Sequence, residues 1–134
     1  MCYLGVGDTY TPCHKDNCAS LGQNLMTYTA SPESSSFWFF TPSSASLRIT
    51  DYFRQKLKSE VDLESTLLSP SQWAKVPSDV YVCEQKLGDL VLVPRKSCHQ
   101  VVNKGGLTIK TSWSRMSIQG LLEAVQEECV MYRR

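Results

Sequence analysis

The sequence predicts a mainly β fold, in which two groups of four strands are separated by a helical insert and followed by a C-terminal helix. Segments rich in aromatic and β-prone residues, bounded by Gly, Pro and Ser, lie near both ends of the chain. Between them, apolar residues recur at helical spacing. The chain has two histidines, one in each strand group. We therefore expect a small barrel of about eight strands whose halves face each other.

The predicted strand boundaries lie at turn-forming residues, such as Gly, Pro and Ser, that separate the β-prone segments. The first group is predicted at residues 2–7, 10–16, 23–30 and 36–41. The second group is predicted at residues 79–84, 89–93, 98–103 and 107–114, with Gly105-Gly106 as the turn of the last hairpin.

Three helices are expected. In the insert, at about residues 43–77, Ser43 or Ser44 caps a helix, and Ser69-Pro70 begins a short second one. The apolar face of the first helix comprises Ile49, Tyr52, Phe53 and Leu57. Ser117 caps the third helix, which is expected to cover a flank of the barrel with Ile118, Leu121, Leu122 and Val125.

Composition excludes several classes of protein. A chain of 134 residues, 42% hydrophobic and 20% charged, fits one domain with a real core. The formal charge of +1 and the lack of long basic runs give no electrostatic footprint for DNA. No apolar run reaches the roughly 18 residues of a membrane span, and no signal peptide is evident, so an intracellular protein is expected.

Six cysteines in such a chain are interpreted as thiols rather than as a disulfide framework. We expect most of them to be buried and unpaired. A zinc site from Cys13, His14, Cys98 and His99 is disfavoured, because neighbours on a strand point to opposite faces.

His14, Asp16 and His99 form the candidate metal site. If residues 11–16 form a strand, His14 and Asp16 share one face while Lys15 points away. Two imidazoles and one carboxylate are the protein ligands of a facial triad, which leaves open positions on Fe(II). His99 must then come from the other half of the barrel.

Eight strands with a metal pair on an early strand and a histidine on a late one are the layout of a double-stranded β-helix, the jelly-roll barrel of cupins. Gly88, Pro94, His99 and Asn103 match the spacing of the second cupin motif, although Lys96 replaces a usual glycine. The stretches TPCHKDNCASLGQNLMTYT, SSFWFF and EQKLGDLVLVPRKSCHQVVNKGGLTIKTSW resemble the jumonji C (JmjC) domain, especially its histone lysine demethylase branch. The chain is expected to be one such domain over residues 1–134, or a fragment of a longer family domain.

This resemblance implies a cofactor and a cosubstrate. His14, Asp16 and His99 match the family's iron ligands, and Asn24 matches a residue that contacts 2-oxoglutarate. Many members carry a lysine where this chain has Ser36. Lys110 is the candidate to replace that cation, but strand parity does not settle its direction. Further candidate partners of the cosubstrate are Tyr3, Tyr10, Tyr28 and Thr27.

The resemblance implies an Fe(II)- and 2-oxoglutarate-dependent protein oxygenase in the nucleus, with a methylated histone tail as the most specific substrate. Protein hydroxylation is the broader version of this hypothesis. Two alternatives stay open: a catalytically inactive or incomplete JmjC-like interaction module, which Ser36 favours, and a metal-binding cupin that does not use 2-oxoglutarate.

Overall fold

The computed structural model describes residues 1–128 and contains the eight predicted strands. Each predicted strand overlaps an observed one, and every boundary agrees within two residues. The strands are β1 (Cys2–Gly5), β2 (Tyr10–His14), β3 (Leu21–Thr29), β4 (Ser35–Phe40), β5 (Tyr81–Gln85), β6 (Leu90–Val93), β7 (His99–Lys104) and β8 (Thr108–Arg115).

Two antiparallel sheets of four strands face each other. Sheet I has the order β1-β8-β3-β6, and sheet II has the order β2-β7-β4-β5. Both sheets combine strands from the two halves of the chain, so neither half forms a sheet alone. The mainly β, jelly-roll (cupin) fold predicted from the sequence is confirmed.

The helices lie between β4 and β5 and after β8. Helix α1 (Ser46–Tyr52) continues into a π-helical turn (Phe53–Leu57), and α2 (Pro70–Trp73) begins at the predicted Ser69 cap. Helix α3 is Ile118–Glu127, and the Ser117 side chain accepts a hydrogen bond from the Gly120 N–H, as expected for its cap. Short 3₁₀ turns occur at Asn17–Ala19, Ser43–Ala45 and Val61–Leu63.

Sheet II is covered by apolar side chains on both faces. Between the sheets, Trp38 packs with Val91, Val93 and Val101. On the outer face, Phe39 stacks on Trp73 with ring centroids 5.6 Å apart. There the insert contributes a larger buried cluster, comprising Ala45, Ile49, Phe53, Val61, Leu68, Trp73 and Val76, which packs against Cys13 of β2 and against Cys98, the residue before β7. Side chains alternate along β4, so Trp38 packs between the two sheets while its neighbour Phe39 packs against the insert.

The prediction for α3 is wrong about the face that packs. Ile118, Leu121, Leu122 and Val125 are 45–82% exposed, and the buried residues of the helix are Gly120 and Ala124. Helix α3 rests on the turn Asn17–Ala19, and a Cβ at Gly120 would lie 2.8 Å from the Ala19 carbonyl oxygen. The spacing of apolar residues correctly predicted that the helix has an apolar face. The helix nevertheless packs on the turn through its smallest side chains, because only these allow the backbones to approach closely.

Lys96 adopts a backbone conformation that explains why a glycine is usual at its position. Its φ is 59°, in the left-handed region that costs a non-glycine residue about 1 kcal/mol or more. Its ammonium reaches α3, with Nζ 3.0 Å from Glu127 Oε1 and 3.6 Å from Glu123 Oε2. These contacts hold α3 against the loop before β7 and offset part of the backbone cost.

The cysteines only partly match the prediction of burial. Cys13 and Cys98 are fully buried, Cys18 is half-buried, and Cys2 and Cys83 are exposed, while Cys129 lies outside the described residues. No helix within residues 1–128 is long and apolar enough to cross a membrane.

Candidate functional site

A cavity of about 260 Å³ lies between the two sheets. Its walls come from β1, β3, β6 and β8 of sheet I and from β2, β4 and β7 of sheet II. All five site residues proposed from the sequence line this one cavity, namely His14, Asp16, Asn24, His99 and Lys110.

Three potential metal ligands meet at this cavity. His14 at the end of β2 pairs directly with His99 at the start of β7, and their ring centroids are 4.2 Å apart. Asp16 Oδ1 lies 3.9 Å from His14 Nε2 and 3.8 Å from His99 Nε2. One ligand atom from each residue lies within 4.8 Å of the other two. Among the described residues, no other group of three or more His, Cys, Asp or Glu side chains converges in this way.

Asp16 reaches this position by a route that differs from the predicted one. Strand β2 ends at His14, so Asp16 lies beyond the strand and precedes the turn Asn17–Ala19. Its φ of −62° and ψ of 133° are nevertheless extended, so the alternation of side chains continues. Lys15 points to the other side, as expected, where it is buried beside Asp62.

Backbone carbonyl groups orient both imidazoles. His14 Nδ1 lies 2.8 Å from the Pro12 oxygen, and His99 Nδ1 lies 3.1 Å from the Ser97 oxygen. A carbonyl oxygen only accepts hydrogen bonds, so each Nδ1 carries the proton and each Nε2 keeps its lone pair. Both free lone pairs belong to the nitrogens that face Asp16, which is the arrangement of metal-binding histidines.

Burial shapes the ionisation of two of the three groups. It lowers the pKa of His99 to about 3, an effect that the His14 imidazole reinforces and the hydrogen bond to Ser97 partly opposes. Burial also raises the pKa of Asp16, which His14 opposes and Glu64 reinforces. His99 is therefore a neutral imidazole at neutral pH, the form that binds metal ions.

Gly22 is a site residue that the sequence interpretation missed. A Cβ at this position would collide with Asp16 Oδ2 and would lie 3.0 Å from the Val93 Cβ. The absence of a side chain on β3 therefore makes room for the carboxylate. The predicted strand began at residue 23, so Gly22 was placed just outside it; a glycine inside a strand, as Gly22 is in β3, often marks such a close approach.

Lys110 supplies a buried cation on the cavity wall. It is 4% exposed, and its ammonium donates a hydrogen bond to Asn103 Oδ1, 2.5 Å away. Within residues 1–128, no carboxylate lies within ion-pair distance of Lys110, and burial alone lowers its pKa to about 8. The lysine thus points inward on the same face as Ser112, the orientation that the sequence left open.

Asn103, known from the sequence only as the end of the cupin motif, connects the polar groups around Lys110. Its Oδ1 also accepts a hydrogen bond from Ser36 Oγ at 2.8 Å, and its Nδ2 donates to Thr9 Oγ1 at 2.9 Å. Ser36, at the position where the resemblance predicts a lysine, supports the partner of Lys110. Asn103 of β7 thus links Ser36 of β4 to Lys110 of β8.

Asn24 lies on the cavity wall with its amide oriented by a second buried amide. Gln85 Nε2 donates to the Asn24 backbone oxygen at 2.9 Å and to Asn24 Oδ1 at 3.2 Å. Gln85 Oε1 accepts a hydrogen bond from Trp38 Nε1 at 2.8 Å. Because Oδ1 is used as an acceptor, the Nδ2 group of Asn24 is left to donate into the cavity.

The other proposed partners of the cosubstrate divide into two groups. Tyr3 and Tyr10 line the cavity. Tyr28 and Thr27 do not line it, because Tyr28 is 46% exposed and the Thr27 hydroxyl donates to the Ile109 carbonyl. The structure thus places Tyr3 and Tyr10 at the cavity and Tyr28 and Thr27 away from it.

A second hollow of about 370 Å³ adjoins two of the three ligand groups, His14 and Asp16, which it shares with the cavity. Its lining also includes Glu64 and Cys18 from the surrounding loops and Met116 from the segment after β8. The candidate metal site therefore lies between an inner cavity and an outer recess.

Comparison with known proteins agrees with this architecture. A family profile described as "JmjC domain, hydroxylase" matches residues 1–114. The chain is 36% identical over 128 residues to C-module-binding factor A of Dictyostelium discoideum, a match that covers 90% of this chain and 12% of that protein. The chain thus corresponds to a small part of its relative's length. It belongs to the JmjC domain family, a family of cupin-type oxygenases.

Proposed function

We propose that this chain is an Fe(II)- and 2-oxoglutarate-dependent protein oxygenase, and that its most specific activity is histone lysine demethylation. The family supports the general class, and the cavity supports the cofactor and the cosubstrate. The observation that carries the proposal is the combination in one cavity of a His-Asp-His group and a buried ammonium without an acidic partner among residues 1–128.

The three ligand groups fit Fe(II). One donor atom from each residue lies within 4.8 Å of the other two, and both imidazole–carboxylate distances are below 4 Å, so small side-chain movements would bring all three donors onto one ion. Two neutral nitrogens and one carboxylate form the donor set of non-haem iron oxygenases, in which three positions stay open. His14, Asp16 and His99 would hold the ion.

Lys110 fits one carboxylate of 2-oxoglutarate. Burying an ammonium with only a neutral amide as partner is unfavourable, and an anion in the cavity would compensate the charge. The cavity volume of about 260 Å³ is just below the roughly 300–1,000 Å³ of typical ligand sites, which favours a small cosubstrate. Asn24 and Tyr3 would offer hydrogen bonds along the same wall.

When bound, iron and 2-oxoglutarate would supply the oxidation of a C–H bond, with conversion of the cosubstrate to succinate and carbon dioxide. The protein's own groups orient and shield the reactants. Trp38 and Phe40 stack near His99, with ring centroids 5.9 Å and 6.0 Å away, and exclude water from one side of the ligand. Backbone carbonyls keep both imidazoles in the metal-binding tautomer.

The outer recess would admit the substrate side chain. It adjoins His14 and Asp16, so a C–H bond placed there would lie beside the metal, while the inner cavity holds the cosubstrate. Glu64 gives this recess an acidic group, which suits a cationic methylated lysine. A methylated histone tail and a nuclear location follow from the demethylase version of the proposal.

A non-catalytic JmjC-like module is the second candidate, and Ser36 at the usual lysine position favours it. The two candidates differ in one requirement. An oxygenase needs Lys110 to replace the missing cation, whereas an inactive module needs no anion in the cavity.

Anaerobic titration with Fe(II) and 2-oxoglutarate tests the proposal directly. The oxygenase should give the weak visible charge-transfer band of the iron chelate, and His99→Ala should abolish it. Lys110→Met should raise at least tenfold the concentration of 2-oxoglutarate at which the band is half-maximal. Lys104→Met, at an exposed position on β7, is the matched control and should change nothing.

Turnover assays separate the remaining versions. Succinate formation with formaldehyde release from methylated histone peptides would support demethylation, and succinate with a peptide mass gain of one oxygen atom would support hydroxylation. No charge-transfer band in the wild-type chain would refute the oxygenase proposal. A band without turnover on any peptide would favour the non-catalytic module.

A further inference from the structure

Two buried cysteines lie directly behind the candidate metal site. Cys13 precedes His14 in β2, and Cys98 precedes His99 at the start of β7. Their sulfur atoms are 2.8 Å apart, and both side chains are fully buried. They point away from the cavity, into the apolar cluster between sheet II and the insert. Each imidazole that faces the cavity therefore has a thiol behind it.

The surroundings of the thiols do not suit metal binding. The cluster around Cys13 and Cys98 consists of apolar side chains such as Ile49, Phe53 and Leu68. A structural zinc site needs four ligands, and the part of the chain described by the structure brings no third ligand to the two sulfurs. The sulfurs contact each other, so the chemistry that their geometry favours is bond formation between them.

We propose that Cys13 and Cys98 are a redox modification site that forms a disulfide behind the metal centre. The oxidant is a peroxide. Hydrogen peroxide transfers one oxygen to the first thiol, which gives a sulfenic acid and one water molecule. The second sulfur then attacks the sulfenic sulfur, the S–O bond breaks, and a second water molecule leaves. Two thiols and one peroxide thus yield one disulfide and two waters.

The bond would act on the metal site because the cysteines and histidines are neighbours in sequence. Shortening the sulfur separation from 2.8 Å to the roughly 2.05 Å of a disulfide requires a movement of about 0.75 Å. Metal sites require ligand distances correct within about 0.2 Å. Even a fraction of the movement, transmitted to His14 and His99, would disturb the ligand geometry. Oxidation is therefore expected to weaken metal binding at least tenfold.

Peptide mapping tests the disulfide without reference to the metal. The exposed thiols of the metal-free chain are first blocked with N-ethylmaleimide, and hydrogen peroxide is then added and later removed with catalase. Denaturation with iodoacetamide and mass spectrometry should find a cross-linked peptide pair containing Cys13 and Cys98. Recovery of both as alkylated thiols, while the exposed Met1 and Met116 have become sulfoxides, would overturn the proposal.

Cobalt binding, followed by quenching of tryptophan fluorescence, tests the consequence and rests on the proposed function. The oxidised chain should bind Co(II) at least tenfold more weakly than the reduced chain, and dithiothreitol should restore the affinity. Cys98→Ala should make cobalt affinity insensitive to peroxide, and Cys13→Ala is the second choice if that variant does not fold. Equal affinities of mapped oxidised and reduced chains would overturn the coupling. A reduced chain that binds no cobalt would contradict the metal centre, and not the disulfide.

Discussion

Removal of Asp62 should destabilise the protein strongly, because this carboxylate neutralises a buried lysine beside the metal ligands. Lys15 Nζ lies 3.3 Å from Asp62 Oδ1 and 3.2 Å from Thr50 Oγ1, and the charged side chains are only 8% and 10% exposed. Breaking a buried ion pair by removing one partner costs about 3–5 kcal/mol. Since Thr50 would keep one hydrogen bond to Lys15, we expect Asp62→Ala to lower the free energy of unfolding by about 3 kcal/mol.

Thermal denaturation provides the assay. For a chain of this length, a loss of about 3 kcal/mol corresponds to a fall in Tm of about 10 °C. Glu60→Ala is the matched control in the same insert, because its partner Arg54 is 44% exposed and such surface pairs contribute about 0–1 kcal/mol. Equal Tm shifts for the two variants would refute the expectation that the buried Lys15–Asp62 ion pair stabilises the fold more than the exposed Arg54–Glu60 pair.

Three further predictions concern α3, the cosubstrate and the metal. Gly120→Ala should lower Tm although alanine favours helices by about 1 kcal/mol, because the Cβ would lie 2.8 Å from the Ala19 oxygen; a higher Tm would contradict this packing. Affinity for 2-oxoglutarate, measured by the charge-transfer band, should fall as the pH rises through about 8, where Lys110 loses its proton, and a flat profile up to pH 9 would exclude its role. Gly22→Ala should weaken Co(II) binding at least tenfold, because the new Cβ would displace Asp16; unchanged affinity would remove Asp16 from the ligand set.

The strand pattern could be predicted because each strand carries its own alternation and its own turn residues. The convergence of His14 with His99 required knowledge of the fold, since a separation of 85 residues is not a local property. The match of residues 88–103 to the second cupin motif provided this knowledge of the fold. The direction of Lys110 could not be predicted by counting residues, because alternation along β8 places Lys110 on the same face as Thr108 and Ser112 but does not say which face points into the cavity.

The error in α3 has a different physical origin. Periodicity at Ile118, Leu121, Leu122 and Val125 correctly indicates an amphipathic helix, but a helix packs where its backbone can approach another element most closely. Burial of Gly120 against the turn Asn17–Ala19 depends on the shape of that turn, which contains two residues with positive φ. No sequence periodicity encodes such a local fit.

The insert is attached to the strand end that carries the candidate metal ligand His14. The Cys13 N–H donates to the Thr66 carbonyl at 2.9 Å, and Lys15 binds Asp62, so both neighbours of His14 are attached to the insert. The face of sheet II opposite the ligands is thereby held by the same segment that buries Phe53 and Trp73. A ligand pair at the end of a short strand would otherwise fray, because terminal residues open at little cost. Substitutions in the insert should therefore weaken metal binding even though no insert side chain lines the inner cavity.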